Sequence, residues 1–268
     1  MGSRWGKLIF LGIVSCIVAS PSFALSAMIA GGSAADIILY NGKIVTVDPR
    51  FTIAQAVAIK GNRFVGVGKN DEIRALAGLS TRRIDLQGKT VVPGFIDAHV
   101  HLTGRAVGEG DWVNAGVRES AVDDAVFGVR NARLTLEAGF TTVRNVGARG
   151  FADVALRNAI NAGVVPGPRM LTAGNSLGIS GGHCDDNGYA PYVLREPGPM
   201  DGIANGADQI RDAVRLQVKY GATVIKICAT GGVLSQGDAV GVQQYSEEEM
   251  RAVVAAASLL ERRVAAHA

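Results

Sequence analysis

The sequence predicts an α/β protein, and three observations support this fold class. Short β-rich runs separated by turn dipeptides occupy residues 36–92. From residue 93 to 268, strand-like and helix-like segments alternate, which is typical of a parallel sheet with crossover helices. The composition of the 268 residues, 48% hydrophobic with 35 glycines, suits a folded α/β chain rather than a disordered one.

The first 24 residues predict an export signal. Basic residues precede an apolar run over residues 8–19, and small residues before and at Ala24 fit a cleavage site. The apolar run is too short to span a bilayer comfortably. We therefore expect a periplasmic or secreted protein cleaved after Ala24 and followed by a linker over residues 25–35. Acylation of Cys16, as in a lipoprotein, is the alternative.

Residues 36–92 predict a small β-sandwich. Turn dipeptides such as Asn41-Gly42 and Asp48-Pro49 separate its apolar runs, and Asn-Gly between such runs is a strong hairpin signal. In order along the chain, the predicted strands cover residues 37–40, 44–47, 54–59, 64–67 and 83–86.

Residues 93–268 predict five parallel strands with helices between them. Ser246 and Glu249 form a capping-box pattern that marks the start of the last helix. The segment 173–205 is dense in Gly, Asp and Pro and has no clear periodicity, which is typical of a functional loop. The predicted strands cover 94–99, 141–146, 169–173, 223–229 and 263–267, and the predicted helices cover 120–138, 151–162, 207–220 and 246–262.

His99 and His101 are the strongest functional signal in the sequence. They lie two residues apart at the end of an apolar run, so on a strand both imidazoles would lie on one face and could bind a single metal ion. Asp97 belongs to the same face, where a purely structural strand would carry Val or Ile. This pattern predicts a metal site.

Lys226 and His267 occupy two further predicted strands. The run around Lys226 is apolar, which predicts burial, and a buried ammonium must pair, coordinate or be chemically modified. A neutral lysine can take up carbon dioxide as a carbamate, which is an oxygen ligand. The alternative is a lysine that reaches water past the strand end. His267 ends a third strand with a candidate ligand.

Four motifs resemble the amidohydrolase superfamily, in its metal-dependent dipeptidase (prolidase-like) and imidazolonepropionase-like branch. Residues 84–102 are similar to the first barrel strand of that family. Glu-Ala-Gly-Phe-Thr-Thr-Val-Arg-Asn, Ile-Lys-Ile-Cys-Ala-Thr-Gly-Gly-Val and Val-Ala-Ala-His-Ala then follow in the family's order. The resemblance implies a partial TIM-type (β/α)₈ barrel of five strands, with the active site at their carboxyl ends.

The resemblance also implies a set of metal ligands. His99 and His101 would bind one divalent ion, a carbamate on Lys226 would bridge two ions, and His267 would bind the second. Zn²⁺ suits these donors best. The family's later histidine and its general acid/base aspartate would follow Ala268, so the chain resembles a member that is truncated after its fifth strand.

Substrate contacts are less well defined by the sequence. Similar dipeptidases imply that His183, in the long loop, binds a substrate carboxylate, although a surface histidine is an equal alternative. Tyr245 is a weaker substrate candidate. The cluster Asp185-Asp186-Asn187 favours turns over cation binding.

These residues predict a metal-dependent hydrolase of amide or peptide C–N bonds. It would act on a dipeptide or N-acyl amino acid by attack of metal-bound hydroxide. Two alternatives stay open. A mononuclear cyclic-amide hydrolase of the imidazolone type commonly lacks the carbamate lysine, so Lys226 argues against it. A non-catalytic fragment would lack the later ligands and expose open sheet edges.

Charge and cysteine content limit the remaining classes. Without Arg4 and Lys7 the formal net charge falls from +3 to about +1, which gives no electrostatic case for nucleic acid. A small-molecule substrate is expected, no membrane span is expected after signal removal, and a homo-oligomer is left open. Cys184 and Cys228 fit no metal-binding spacing, and we expect both to be unpaired.

Overall fold

A computed structural model describes residues 34–106, 108–111 and 114–268. The chain divides into two compact units, with the boundary between Phe95 and Ile96. The predicted export signal, Cys16 and most of the predicted linker lie outside the described residues. No helix in the described part of the chain is long and apolar enough to cross a membrane.

The N-terminal unit consists of two sheets. One has the strand order β5-β4-β1-β6 and the other the order β3-β2-β7. The first sheet is mixed, because β1 pairs antiparallel with β4 and parallel with β6. In chain order the elements are β1 (Ala35–Tyr40), β2 (Lys43–Val45), β3 (Ile53–Ala54), β4 (Ala56–Lys60), β5 (Arg63–Gly68), the helix α1 (Asn70–Arg74), β6 (Ala77–Asp85) and β7 (Thr90–Val91).

Apolar side chains from both sheets meet in one of the two buried clusters that the described residues of this unit form. Leu39 of β1, Val57 and Ile59 of β4, and Ile44 of β2 pack together with Leu86, and all five are buried. Burial of a full aliphatic side chain stabilises a fold by about 1.5–3 kcal/mol, so this core accounts for the packing of the two sheets.

The C-terminal unit alternates strands and helices. Its two sheets have the strand orders β10-β9-β8 and β11-β12. Strands β9 and β10 pair parallel, and so do β11 and β12. The elements are β8 (Phe95–Val100), α2 (Ala115–Arg118), α3 (Ala121–Glu137), β9 (Phe140–Asn145), α4 (Ala152–Asn161), β10 (Arg169–Thr172), α5 (Gly206–Lys219), β11 (Ile225–Cys228), α6 (Glu247–Leu259) and β12 (Val264–His267).

Backbone hydrogen bonds connect the two sheets of this unit. The Thr223 N–H donates to the Thr172 carbonyl at 2.7 Å, beside the start of β11. Farther along, the Leu177 N–H donates to the Lys226 carbonyl and the Cys228 N–H donates to the Leu177 carbonyl, each at 2.8 Å. The segment after β10 therefore runs beside β11, although the five strands form two open sheets and not one closed barrel.

Each group of strands buries one face against helices. Val143 of β9 and Met170 of β10 pack with Ala132 of α3 and Leu156 of α4. In the second group Ile225 and Ile227 of β11 pack against α5 and α6. Because side chains alternate along a strand, the residues between these apolar ones lie on the opposite face.

The α/β class predicted from the sequence is confirmed, and the elements of the C-terminal unit match the predicted ranges closely. Ser246 caps α6 and forms the expected capping box with Glu249. The differences are small elements: α1, α2 and β7 were not predicted, and β1 begins at Ala35, inside the predicted linker. The predicted strand over 54–59 is split after Ala54, so that β3 and β4 join different sheets.

A buried polar network fixes the ends of β8, β9 and β10. Asn145, at the end of β9, accepts a hydrogen bond from the Leu102 N–H at 2.7 Å. Its amide also lies 3.4 Å from Asp153, whose carboxylate accepts from the N–H groups of Ala173 and Gly174 at 3.1 and 3.2 Å. Burial raises the pKa of Asp153, and these hydrogen bonds oppose that rise. The network holds the chain segments that carry the polar face.

Asp153→Ala should therefore destabilise the C-terminal unit. The substitution leaves the N–H groups of Ala173 and Gly174 buried without an acceptor, and we expect the free energy of unfolding to fall by roughly 2–4 kcal/mol. Urea denaturation followed by circular dichroism measures the change. Asp208→Ala removes a carboxylate whose side chain is 99% exposed and should change stability by less than about 0.5 kcal/mol. Equal losses in the two variants would contradict a special role for Asp153.

Candidate metal centre

His99 and His101 lie at the carboxyl end of β8. Their ring centroids are 5.7 Å apart. The His99 N–H donates to Oδ1 of Asp97 at 2.9 Å, and Nδ1 of His101 lies 3.4 Å from the Gly147 carbonyl. Val100 between them packs with the apolar cluster under α3, so the two imidazoles lie on the opposite face.

Lys226, Cys228 and His267 share one face of the paired strands β11 and β12. Lys226 lies opposite Ala265 and Cys228 lies opposite His267 in the parallel register. The side chain of Lys226 is buried, with 3% of its surface exposed. Ile225 and Ile227 pack on the helix side instead, so the alternation leaves this face to the polar residues.

The predicted ligands interact electrostatically. Desolvation lowers the pKa of His99, and the positive charges of Lys226 and Arg144 lower it further. Desolvation also lowers the pKa of His101, with added repulsion from His99 and Lys226. A lowered pKa keeps an imidazole neutral near pH 7, which is the form that binds a metal ion.

Lys226 forms no salt bridge with a carboxylate in the part of the chain that the structure describes. Burial lowers the pKa of its amine, and the guanidinium of Arg144 lowers it further. None of the salt bridges among the described residues involves Lys226. Arg144 lies on β9, and its Nε donates a hydrogen bond to the Ala98 carbonyl of β8 at 2.6 Å. A buried amine near a second cation is favoured in its neutral form.

The long loop brings His183 to His267. Their ring centroids are 4.5 Å apart. Nδ1 of His183 lies 3.0 Å from the hydroxyl of Ser235, and the His183 N–H donates to the Gln244 side chain at 2.9 Å. Desolvation lowers the pKa of His183, and His267 lowers it further, whereas the charge of Asp238 raises it. The sequence analysis did not identify Ser235, Asp238 and Gln244. The polar stretch that follows β11 is the pattern that could have indicated them.

A disulfide joins this loop to β11. Cys184, the residue after His183, is bonded to Cys228, and their Cα atoms are 6.0 Å apart. The expectation that both cysteines are unpaired was therefore wrong. The sequence separation of 44 residues gave no sign of the pairing, which depends on the loop folding back across the strand.

A cavity of about 570 Å³ opens beside His101. Residues of the long loop and of the segment after β9 line it, including Arg149 and Arg195. Both guanidinium groups are already paired, Arg149 with Asp124 at 3.0 Å and Arg195 with Asp201. The cavity is large enough for a small-molecule substrate, and its walls combine polar groups with apolar ones.

Two predicted features are not assembled as expected. Among the residues that the structure describes, no three His, Cys, Asp or Glu side chains surround a common metal position. The histidines instead form two close pairs, with Lys226 electrostatically coupled to both. Tyr245 is 1% exposed and packs in the apolar core beside α6, and its hydroxyl is buried without a hydrogen-bond partner among the described residues, so its role as a substrate contact stays a prediction.

The turn interpretation of the Asp185-Asp186-Asn187 cluster agrees with the hydrogen bonds. Asp185 accepts from the Gly181 N–H at 2.7 Å and from the Asp186 N–H at 2.8 Å. The amide of Asn187 donates to the Gly182 carbonyl at 2.8 Å. These bonds shape the turn that presents His183 and Cys184.

Comparisons with known proteins identify the family to which this chain is similar. The profile of the Amidohydrolase family matches residues 90–268. The ochratoxinase of Aspergillus niger is 32% identical over 249 residues, which cover 86% of this chain and 49% of the relative. The chain thus spans about half the length of this curated relative.

Solved structures give the same relationship. A Xaa-Pro dipeptidase with methionine bound in its active site superposes with a TM-score of 0.75 at 33% identity, covering 87% of this chain and 56% of that one. A prolidase complexed with N-methylphosphonate-L-proline gives a TM-score of 0.73, also at 33% identity and with the same coverage of both chains. The family match over residues 90–268 includes the strands that carry the candidate ligands.

The disulfide gives a direct test of the loop arrangement. Cys184 and Cys228 should resist thiol reagents in the native protein and react after reduction. Replacing both with Ser should lower the free energy of unfolding by about 2–4 kcal/mol, since a loop of this length is no longer closed in the unfolded chain. Thiol titration and urea denaturation measure the two effects. In a reducing buffer the variant and the wild-type protein should be equally stable, and two reactive thiols in the untreated native protein would contradict the pairing.

Proposed function

Because the chain belongs to the amidohydrolase family, we propose that the protein carrying it is a metal-dependent hydrolase of amide or peptide C–N bonds. The observation that carries this proposal is the buried Lys226, unpaired with any carboxylate among the described residues and electrostatically coupled to three histidines. A purely structural strand would place an apolar residue at this buried position.

The donor set fits divalent metal ions. His99 and His101 would hold one ion, His267 would hold a second, and Lys226 as a carbamate would supply an oxygen ligand to both. Zn²⁺ binds such nitrogen and oxygen donors well. When bound, the ions would supply a Lewis acid for the carbonyl group and lower the pKa of water to about 7. The five strands would form part of a TIM-type barrel around this centre.

The chain's own residues would prepare the site for these ions. Desolvation lowers the pKa of His99 and of Lys226, and the charge of Arg144 lowers both further, which favours the neutral imidazole and the neutral amine. A neutral lysine amine is the form that reacts with carbon dioxide. Addition of the neutral amine to carbon dioxide would form the N–C bond and release one proton to water, and the resulting carbamate anion would be attracted to Arg144.

A dipeptide or N-acyl amino acid is the substrate class that we propose. The ochratoxinase and the two dipeptidase structures to which the chain is similar bear names that indicate amide or peptide substrates. His183 lies beside His267, its chain neighbour Cys184 lines the cavity, and its imidazole would bind the substrate carboxylate. We also propose export to an oxidising compartment, for which the disulfide gives support because such bonds persist there.

Metal analysis tests the proposal. After loading with Zn²⁺ and dialysis, the wild-type full-length protein should retain about two ions per chain, as expected of a two-metal site. His99→Asn should retain at most about one ion and lose amide hydrolysis. His183→Asn is the matched control, because a substrate contact can be removed without losing metal. About one ion in the wild-type protein would favour a mononuclear cyclic-amide hydrolase, and none would refute the metal centre.

The lysine carbamate has its own signature. In ¹³C-bicarbonate the metal-loaded protein should show a carbamate carbon resonance that disappears on acidification. Lys226→Arg keeps a cation at the position but cannot form a stable carbamate, so the resonance should be absent. Persistence of the resonance in Lys226→Arg would assign the carbamate to another lysine.

A further inference from the structure

The cavity of about 570 Å³ has more carboxylates than guanidinium groups in its wall. Its Asp and Arg lining residues are Asp124, Arg149, Asp185, Asp186, Arg195 and Asp201. Each guanidinium is already paired with one carboxylate, so that the charges of Asp124 and Asp201 are balanced. The carboxylates of Asp185 and Asp186 form no salt bridge in the described part of the chain. The wall therefore keeps an excess of negative charge.

The two unbalanced carboxylates differ in what they contact. Asp185 accepts hydrogen bonds from two backbone N–H groups and shapes the turn. Asp186 donates its own N–H to Asp185, whereas its carboxylate accepts no hydrogen bond from a described residue. Asp186 is exposed, and it lines the cavity. Its side chain is therefore an open acceptor in the cavity wall.

The surroundings of Asp186 disfavour its negative charge. Neighbouring atoms desolvate the carboxylate, which raises the pKa of Asp186. The charges of Asp185 and Asp201 raise this pKa further, and the charge of Arg149 opposes them. A cation that enters the cavity would be attracted to the same carboxylates and would favour the ionised form of Asp186.

Asp124 supplies a second unfilled acceptor in the same wall. The residue is only 8% exposed. Arg149 contacts its Oδ2 through Nε at 3.1 Å and Nη2 at 3.0 Å, while its Oδ1 accepts no hydrogen bond from a described residue. Buried carboxylate oxygens are usually hydrogen-bonded. The open Oδ1 is thus an independent indication that a ligand donor belongs in this cavity.

Apolar side chains complete the cavity wall. Leu194, Pro197 and Ile203 line it together with the carboxylates. The side chain of a lysine has a methylene stem and a terminal ammonium group, and such stems pack on apolar surface while the charged end contacts polar groups. A neutral aliphatic group would gain the apolar contacts but leave the carboxylates without a partner.

We propose that this cavity binds a positively charged group of the substrate, and that Asp186 selects it over a neutral group of the same shape. The preferred substrate is then a dipeptide with a basic side chain or a free α-ammonium group, and not an uncharged N-acyl analogue. Turnover of this substrate rests on the proposed hydrolase function, whereas binding of the cation does not. The selectivity comes from a charge-assisted hydrogen bond that the neutral analogue cannot form.

Three small carboxylates test the charge preference without turnover. Hexanoate carries no positive charge, 6-aminohexanoate adds the ammonium group of a lysine side chain, and L-norleucine adds an α-ammonium group instead. In NMR titrations of the full-length protein, 6-aminohexanoate should bind with a Kd about ten- to hundredfold lower than that of hexanoate. Tighter binding of norleucine instead would assign the charge to the α-ammonium group. Equal Kd values for all three compounds would overturn the proposal.

The role of Asp186 is tested by matched variants. Asp186→Asn should reduce the preference to less than about threefold, and Asp186→Glu, which keeps the charge, should retain most of it. Asp208→Asn removes a carboxylate that is 99% exposed on α5 and should leave the preference unchanged. The urea midpoint of Asp186→Asn should match that of the wild type, because the carboxylate holds no described residue. An unchanged preference in Asp186→Asn, or an equal loss in Asp208→Asn, would overturn the assignment.

Dipeptides test the same selectivity during hydrolysis. The matched pairs are Lys-Leu with norleucyl-Leu, Leu-Lys with Leu-norleucine, and norleucyl-Leu with hexanoyl-Leu. In at least one pair the member with the additional positive charge should have a kcat/KM about tenfold higher or more, and Asp186→Asn should abolish that difference. Hydrolysis without a preference in any pair would overturn the selectivity. Absence of all hydrolysis, with selective binding of the small carboxylates intact, would refute only the hydrolase function.

Discussion

The candidate site depends on the alternation of side chains along strands that are covered by helices on one face. Val143 and Met170 on one group of strands, and Ile225 and Ile227 on the other, bury their side chains against α3 to α6. This burial supplies the free energy that holds the strands in place. Because side chains alternate along a strand, the residues between the apolar ones must lie on the opposite face. These residues include the strand histidines, Arg144 and Lys226. Packing on one side thus assembles the chemistry on the other.

The assembled face has an excess of positive charge. Lys226 is buried near Arg144 and the histidines, and none of these groups forms a salt bridge with a carboxylate in the described part of the chain. A buried cation without a partner is costly, so a fold maintains one only where its surroundings neutralise or use it. Desolvation and the neighbouring positive charges lower the pKa of His99, His101 and Lys226, which favours their neutral forms, and a neutral imidazole is the form that binds a metal ion. The electrostatics and the family therefore point to the same chemistry.

The long loop is ordered by contacts of three kinds. A disulfide fixes it to β11, turn hydrogen bonds accepted by Asp185 and donated by Asn187 set its local shape, and contacts with Ser235 and Gln244 hold His183. Loops that carry functional residues need such restraints, because they lack the repeated hydrogen bonds of helices and strands. His183 consequently lies beside His267, a residue that is 84 positions later in the sequence.

The sequence by itself determined the α/β class, the strands and helices of the C-terminal unit, the buried position of Lys226 and the shared face of His99 and His101. These features depend on local periodicity and capping, which neighbouring residues encode. The tertiary structure decided what distant segments do to one another. The pairing of Cys184 with Cys228 and the contacts of His183 with Ser235 and Gln244 depend on a loop folding back across a strand, and Tyr245 is buried against helices and a strand from distant segments. No local pattern encodes such contacts.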